Sequence, residues 1–111
     1  MELRPRKLLI YETASGDSPF EDWLGSLKDV KGRAIIRIRL DRVSLGLLGD
    51  HHDVGEGVWE LVFDYGPGYR IYYGEWKGYT VLLLMGGTKR GQNRDIAVAQ
   101  KYFAEFRRRN G

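Results

Sequence analysis

Trp59-Glu60-Leu61-Val62-Phe63-Asp64-Tyr65, then Gly66-Pro67-Gly68, then Tyr69-Arg70-Ile71-Tyr72-Tyr73 is the stretch on which the fold turns. Trp59, Leu61, Phe63 and Tyr65 alternate with Glu60, Val62 and Asp64, the two-residue period of a strand with one strongly apolar face. Gly66-Pro67-Gly68 reads as a turn, and Tyr69 to Trp76 as the returning strand. Lys77-Gly78 makes another tight turn, and the continuous apolar run from Tyr79 to Met85 predicts a central strand that Gly86-Gly87 ends.

Upstream, Lys7 to Thr13 predicts a first strand and Ala14 to Asp17 a turn. Ser18, Pro19 and Glu21 predict a helix start with a capping box, and Phe20, Trp23, Leu24 and Leu27 follow at helical spacing. A second helix is predicted from about Val30 to Leu45, with Arg33, Arg37, Arg39 and Arg42 on its outer faces. Leu45 to Gly57 reads as a long irregular connection, and Thr88 to Asn93 as a loop. Ile96, Ala99, Phe103 and Phe106 predict a last amphipathic helix ending in Arg107-Arg108-Arg109. The expected architecture is α+β in the order β-α-α-β-β-β-α, with the helices packed on one face of a mainly antiparallel sheet.

The chain has 111 residues, the size of one domain, and buries roughly two-thirds of its unfolded surface on that scale. It has no cysteine, which excludes disulfides, thiol nucleophiles and thiolate metal sites. The longest apolar run, Val81 to Met85, falls far short of the ~20 residues of a membrane helix. Met1-Glu2-Leu3-Arg4 does not look like a signal peptide, so a soluble cytoplasmic protein is expected. The net charge is only +3, but it is unevenly placed. Residues 28–42 carry +4, residues 89–109 carry +5, and the remainder carries −6. The two basic segments predict either solvated helix faces or, if they meet, one footprint for phosphates.

Chemistry-bearing residues are few. Adjacent His51 and His52 lack ligand spacing, so no metal site and no cofactor are expected, while proton transfer by one of them stays open. No G-x-S-x-G elbow occurs, and Gly86-Gly87-Thr88-Lys89 does not have the Walker spacing. Arg70, Lys89 and Arg90 are predicted to converge at one end of the sheet. Arg70 and Tyr72 share a face opposite Tyr69, Ile71 and Tyr73, and an open face with cations and a ring suits RNA. The competing reading pairs Arg70 with Glu60 or Asp64 across the hairpin.

The run from Gly57 to Leu61, with Asp64-Tyr65-Gly66-Pro67-Gly68-Tyr69-Arg70-Ile71-Tyr72-Tyr73, resembles the RelE/ParE superfamily of bacterial toxins. Leu83 to Lys89, Gln92, Asp95-Ile96-Ala97, Tyr11-Glu12-Thr13 and Pro19 to Leu24 are similar to its HigB-like, phage-associated addiction-module branch. The resemblance implies a RelE-like fold and a toxin neutralised by an antitoxin, typically a helix-turn-helix protein. It implies a ribosome-dependent mRNA endoribonuclease that needs no metal because the ribose 2′-hydroxyl is the nucleophile. A ParE-like inhibitor of DNA gyrase and an inactive toxin-derived regulatory module are the alternatives. Arg70 matches the strand arginine, and Lys89 or Arg90 the basic residue after the last strand, as catalytic cations. Arg33, Arg37, Tyr72, Gln92 and Arg94 are the expected RNA contacts, and His52 is favoured as the base over His51, Glu60 and Lys89. Two positions depart from the superfamily: Ile96 replaces a tyrosine early in the last helix, and Val62 replaces an arginine.

Overall fold

A computed structural model describes residues 3–111, and Met1 and Glu2 of the N-terminal stretch read above lie outside them. The fold is α+β, with one five-stranded mixed sheet and three α-helices. Its strands are β1 (Lys7–Ile10), β2 (His51–Gly55), β3 (Val58–Val62), β4 (Tyr69–Trp76) and β5 (Thr80–Thr88), in the spatial order β1-β5-β4-β3-β2. β1 runs parallel to β5, and every other pair is antiparallel. The helices are α1 (Pro19–Ser26), α2 (Val30–Ser44) and α3 (Gln92–Asn110), and a single 3₁₀ turn over Lys89–Gly91 leads into α3. Among the described residues no helix is long and apolar enough to cross a membrane.

The helices cover both faces of the sheet, not one. Ile71, Tyr73, Val81 and Leu83 pack with Phe20 of α1 and Ile36 and Val43 of α2. The alternate residues Tyr72, Leu82 and Leu84 pack with Ala99, Phe103 and Phe106 of α3. Strand side chains alternate between faces, so the two sets form two cores with the sheet between them. A strand buried on both sides loses its polar face, which is why Val81 to Met85 is apolar throughout.

The element order also differs from expectation by one strand. His51–Gly55 pairs with β3, His51 opposite Leu61 and His52 opposite Glu60. As an edge strand with only one neighbour it can be polar, and its sequence gives no apolar alternation to read. β5 runs on through Gly86 and Gly87 to Thr88 instead of stopping at Met85, with Gly87 opposite Arg70. A Cβ on Gly86 would lie 2.2 Å from the Trp23 ring of α1, and one on Gly87 would lie 2.1 Å from Asp95 Oδ2 of α3. These glycines let a helix approach each face of the strand; they do not break it.

Ser18 is the N-cap of α1 and Pro19 its first residue, but the capping-box bond is not made, and the Ser18 hydroxyl is buried without a partner. Asp29 caps α2 by accepting the Gly32 N–H at 2.9 Å. Tyr11, just past β1, donates its phenol to Glu105 of α3 at 2.6 Å. Burial, and then that carboxylate, push the phenol up to about 12.

Gly74 lies under the ring of Phe103, where an added Cβ would fall 2.5 Å from a ring carbon. Gly74→Ala is expected to lower unfolding free energy by about 1–3 kcal/mol through overpacking. Urea titration measures this, and an unchanged midpoint would show that α3 does not seat on β4 as described.

Candidate functional site

The site forms where the β3–β4 turn, the end of β5 and the 3₁₀ turn before α3 meet. Two clamps hold its walls. Asp29 accepts the Tyr69 hydroxyl at 2.8 Å and the Tyr65 hydroxyl at 3.2 Å, tying both ends of the Gly66-Pro67-Gly68 turn to α2. Arg39 of α2 donates to three main-chain carbonyls: Leu48 at 2.9 Å, Asp50 at 2.7 Å and Val62 at 2.9 Å. It also stacks over Phe63. Those bonds fix the approach to β2 against the end of β3. Arg39 is thus structural, although its sequence position resembled that of the exposed arginines around it.

Gly68 sits at the junction with φ +74°, a conformation that L side chains rarely adopt. Its carbonyl accepts the Lys89 N–H at 2.8 Å and Arg70 Nη1 at 2.9 Å. Arg70 Nη1 also reaches the Tyr69 carbonyl at 3.2 Å. Of the three cations expected to converge, Arg70 and Lys89 do, and both line an open cavity of about 490 Å³. Asp50, Asp64 and Tyr65 share its wall.

Arg70 is only 8% exposed, its Nε has no hydrogen-bond partner, and among the described residues no carboxylate pairs with it. The cross-hairpin ion pair is absent. Glu60, 5% exposed, instead accepts both hydrogen bonds of the Gln92 amide, at 3.0 and 2.9 Å. A buried cation without a charged partner is expensive in a folded protein, and an anion bound in the cavity would supply one.

The remaining expected residues separate. Tyr72 is fully buried beneath α3, with its hydroxyl unpartnered, so it offers no face to a base. Burial, then the carboxylates of Glu60 and Asp95, push its phenol well above the usual range. The open sheet face expected around Arg70 and Tyr72 is thus a covered one. Tyr65, past the end of β3, lines the cavity wall together with Phe63, and its apolar parity with Trp59, Leu61 and Phe63 concealed that role in the sequence.

Arg90 is exposed on the 3₁₀ turn beside Lys89 but does not line the cavity. Arg94 is exposed, 3.7 Å from Asp95, and burial raises the Asp95 carboxyl. Gln92 anchors α3 to β3 through Glu60. His52 lies on β2 with Nε2 on Asp50 Oδ1 at 2.8 Å, so it adjoins the cavity through that carboxylate without lining it. His51 turns to the Gly49 carbonyl at 2.7 Å and packs on Trp59. Arg33 and Arg37 border a different cavity, between β1, α1 and α2. The two basic segments lie on opposite helical layers and make no single footprint. Asp50 carried no signal in the sequence, because its place depends on Arg39 and on a strand that was not anticipated.

No protein-family model matches the chain. A Haemophilus influenzae protein described as uncharacterized is 41% identical over 81 residues, 73% of this chain and 82% of that protein. The chain belongs to the same family as that protein.

Two outcomes follow for stability. Arg70→Met is expected to leave unfolding free energy unchanged or to raise it by up to about 2 kcal/mol, because a buried unpaired charge is removed. The Gly68 carbonyl keeps Lys89, and the Tyr69 carbonyl keeps the Phe63 N–H at 3.1 Å, so no acceptor is orphaned. A loss above about 1 kcal/mol would mean that Arg70 is a structural pairing residue.

The second concerns pH. The Gly32 N–H, then the Tyr69 hydroxyl, hold the Asp29 carboxyl below its ordinary value of 3.8. Its contribution is therefore present above that value and lost as pH falls through the lower folded-state pKa. Thermal melts between neutral and strongly acidic pH should show a steeper acid loss for wild type than for Asp29→Asn. Parallel profiles would contradict this clamp.

Proposed function

We propose that the protein is the toxin of a type II toxin–antitoxin pair, of RelE-like fold and HigB-like branch, and that it cuts mRNA on the ribosome. The observation that carries this reading is Arg70, a buried guanidinium without a carboxylate partner, beside Lys89 in an open cavity. A phosphodiester supplies the anion that this pair lacks. Tyr65 on the same wall offers a surface for a base, as single-stranded RNA requires.

Cleavage uses the RNA's own ribose. The 2′-hydroxyl attacks the adjacent phosphorus, the bond to the 5′-oxygen breaks, and that oxygen takes a proton from water, leaving a cyclic phosphate and a 5′-hydroxyl. Negative charge gathers on the non-bridging oxygens in the transition state, where Arg70 and Lys89 stabilise it. Of the two carboxylates on the cavity wall, Asp50 and Asp64, Asp50 takes the hydroxyl proton, and His52 holds it by its bond to Oδ1. Ile96 packs into the α3-side core, so catalysis does not depend on an aromatic hydroxyl at that position. The partners in this reading are ribosome-bound mRNA and a helix-turn-helix antitoxin, and the working compartment is the cytoplasm. No metal or cofactor takes part in the step.

Induction of the protein without an antitoxin, followed by mapping of 5′ ends on translated mRNA, tests this directly. Cuts placed by codon position are expected, with a loss of about 10²-fold or more for Arg70→Ala. Growth arrest with intact mRNA and inhibited DNA supercoiling would instead assign gyrase as the target. Absence of arrest would make the chain an inactive, toxin-derived regulatory module.

A further inference from the structure

The sheet has two free edges, and they differ in character. β2 is polar, with His51, His52 and Asp53 and a register shift between Asp53 and Gly55, the charges and bulge that commonly protect an edge. β1 carries Leu8, Leu9 and Ile10, with only Lys7 as a charge, and Leu9 and Ile10 are 37% and 36% exposed. Its inner side is taken. Lys7 and Tyr11 donate their N–H groups to the Tyr79 and Leu83 carbonyls of the β5 side, at 3.1 and 3.0 Å. By the two-residue period Leu9 points inward as well, so Leu8 and Ile10 direct their backbone groups to the open side.

We propose that this edge receives a second copy of the chain, β1 against β1, antiparallel about a two-fold axis at Leu9. That register makes Leu8 of one copy and Ile10 of the other a hydrogen-bonded pair, since both have outward-facing backbone groups. It sets Leu9 against Leu9 of the second copy as a non-hydrogen-bonded pair, the position at which side chains approach most closely. It also brings Arg6 of each copy toward Glu12 of the other. The two sheets become one of ten strands.

Charge decides the occupant. The cavity beside β1, about 690 Å³, is walled by Leu8, Ile10, Leu24 and Leu40. Its charged lining is Arg33 and Arg37 against Glu21 and Asp41, two of each sign. Such a rim is complementary to neither a nucleic acid nor a strongly acidic segment. With no net charge it admits a second copy, whose rim is equally balanced, in the two-fold arrangement that self-association takes. The strand is four residues long, so the dimer is weak and depends on concentration.

The chain has no cysteine, so Leu9→Cys introduces a single thiol. In the proposed register its Cα lies about 4.5 Å from its counterpart, within disulfide range. With diamide as oxidant, Leu9→Cys is expected to cross-link at least about tenfold faster than Lys101→Cys on the exposed side of α3, because the dimer raises the local thiol concentration. Sedimentation of the wild type from roughly 1 μM to 1 mM should show a monomer–dimer equilibrium. Leu9→Arg, which sets two cations face to face, should abolish it with an unchanged far-UV spectrum. Equal cross-linking rates, or a wild type that stays monomeric throughout, would overturn the proposal and leave this edge to a different protein.

Discussion

β4 and β5 are covered on both faces, and the rest of the molecule is arranged around that constraint. Ile71, Tyr73, Val81 and Leu83 look toward α1 and α2, while Tyr72, Leu82 and Leu84 look toward α3. Close approach on both sides requires a bare backbone where helix meets strand. Gly86 admits Trp23 on one face, Gly87 admits Asp95 on the other, and Gly74 admits Phe103. Because α3 must lie back across the sheet, the chain reverses tightly after β5. That reversal delivers Lys89 to the mouth of the β3–β4 turn.

There the burial that stabilises the sheet meets a group it does not favour. Arg70 belongs to the covered stretch of β4, yet no carboxylate pairs with it among the described residues. Glu60, the acidic residue of β3, is occupied by Gln92. Meanwhile Asp29 and Arg39 spend their hydrogen bonding on holding the surrounding loops. In the proposed function, this unpaired cation between two fixed walls is the receptor for an outside anion. This follows from which groups are paired, and it stands apart from the net charge. The two basic segments, expected to be solvated helix faces or one footprint, sit on opposite layers.

The sequence was most legible where local pattern and tertiary environment agree. β4 runs from Tyr69 to Trp76 as expected, α2 begins at Val30, and Ser18 and Pro19 mark the start of α1. Periodicity fails where a neighbour across the sheet decides the outcome. His51–Gly55 is a strand because β3 offers it a partner, not because of its own residues. Gly86-Gly87 reads locally as a stop, but the pairing with Ile71 and Arg70 continues through it. Parity placed Arg70 and Tyr72 on the same face correctly, yet it could not tell that α3 covers that face. Tyr72 was therefore expected at the site, while Tyr65 and Asp50, placed by the Asp29 and Arg39 clamps, were not. The convergence of Arg70 and Lys89 was readable because it needs only two hairpins in sequence.

In the proposed function, the Arg70 guanidinium is a receptor for an RNA phosphate. Its Nε–H resonance can be followed by nitrogen–proton NMR during titration with a short RNA made uncleavable by a single 2′-deoxy nucleotide. The Arg70 Nε–H is expected to move and saturate together with Lys89, while the Arg33 and Arg37 side chains stay unmoved. Saturable shifts at Arg33 and Arg37 with Arg70 unchanged would contradict it.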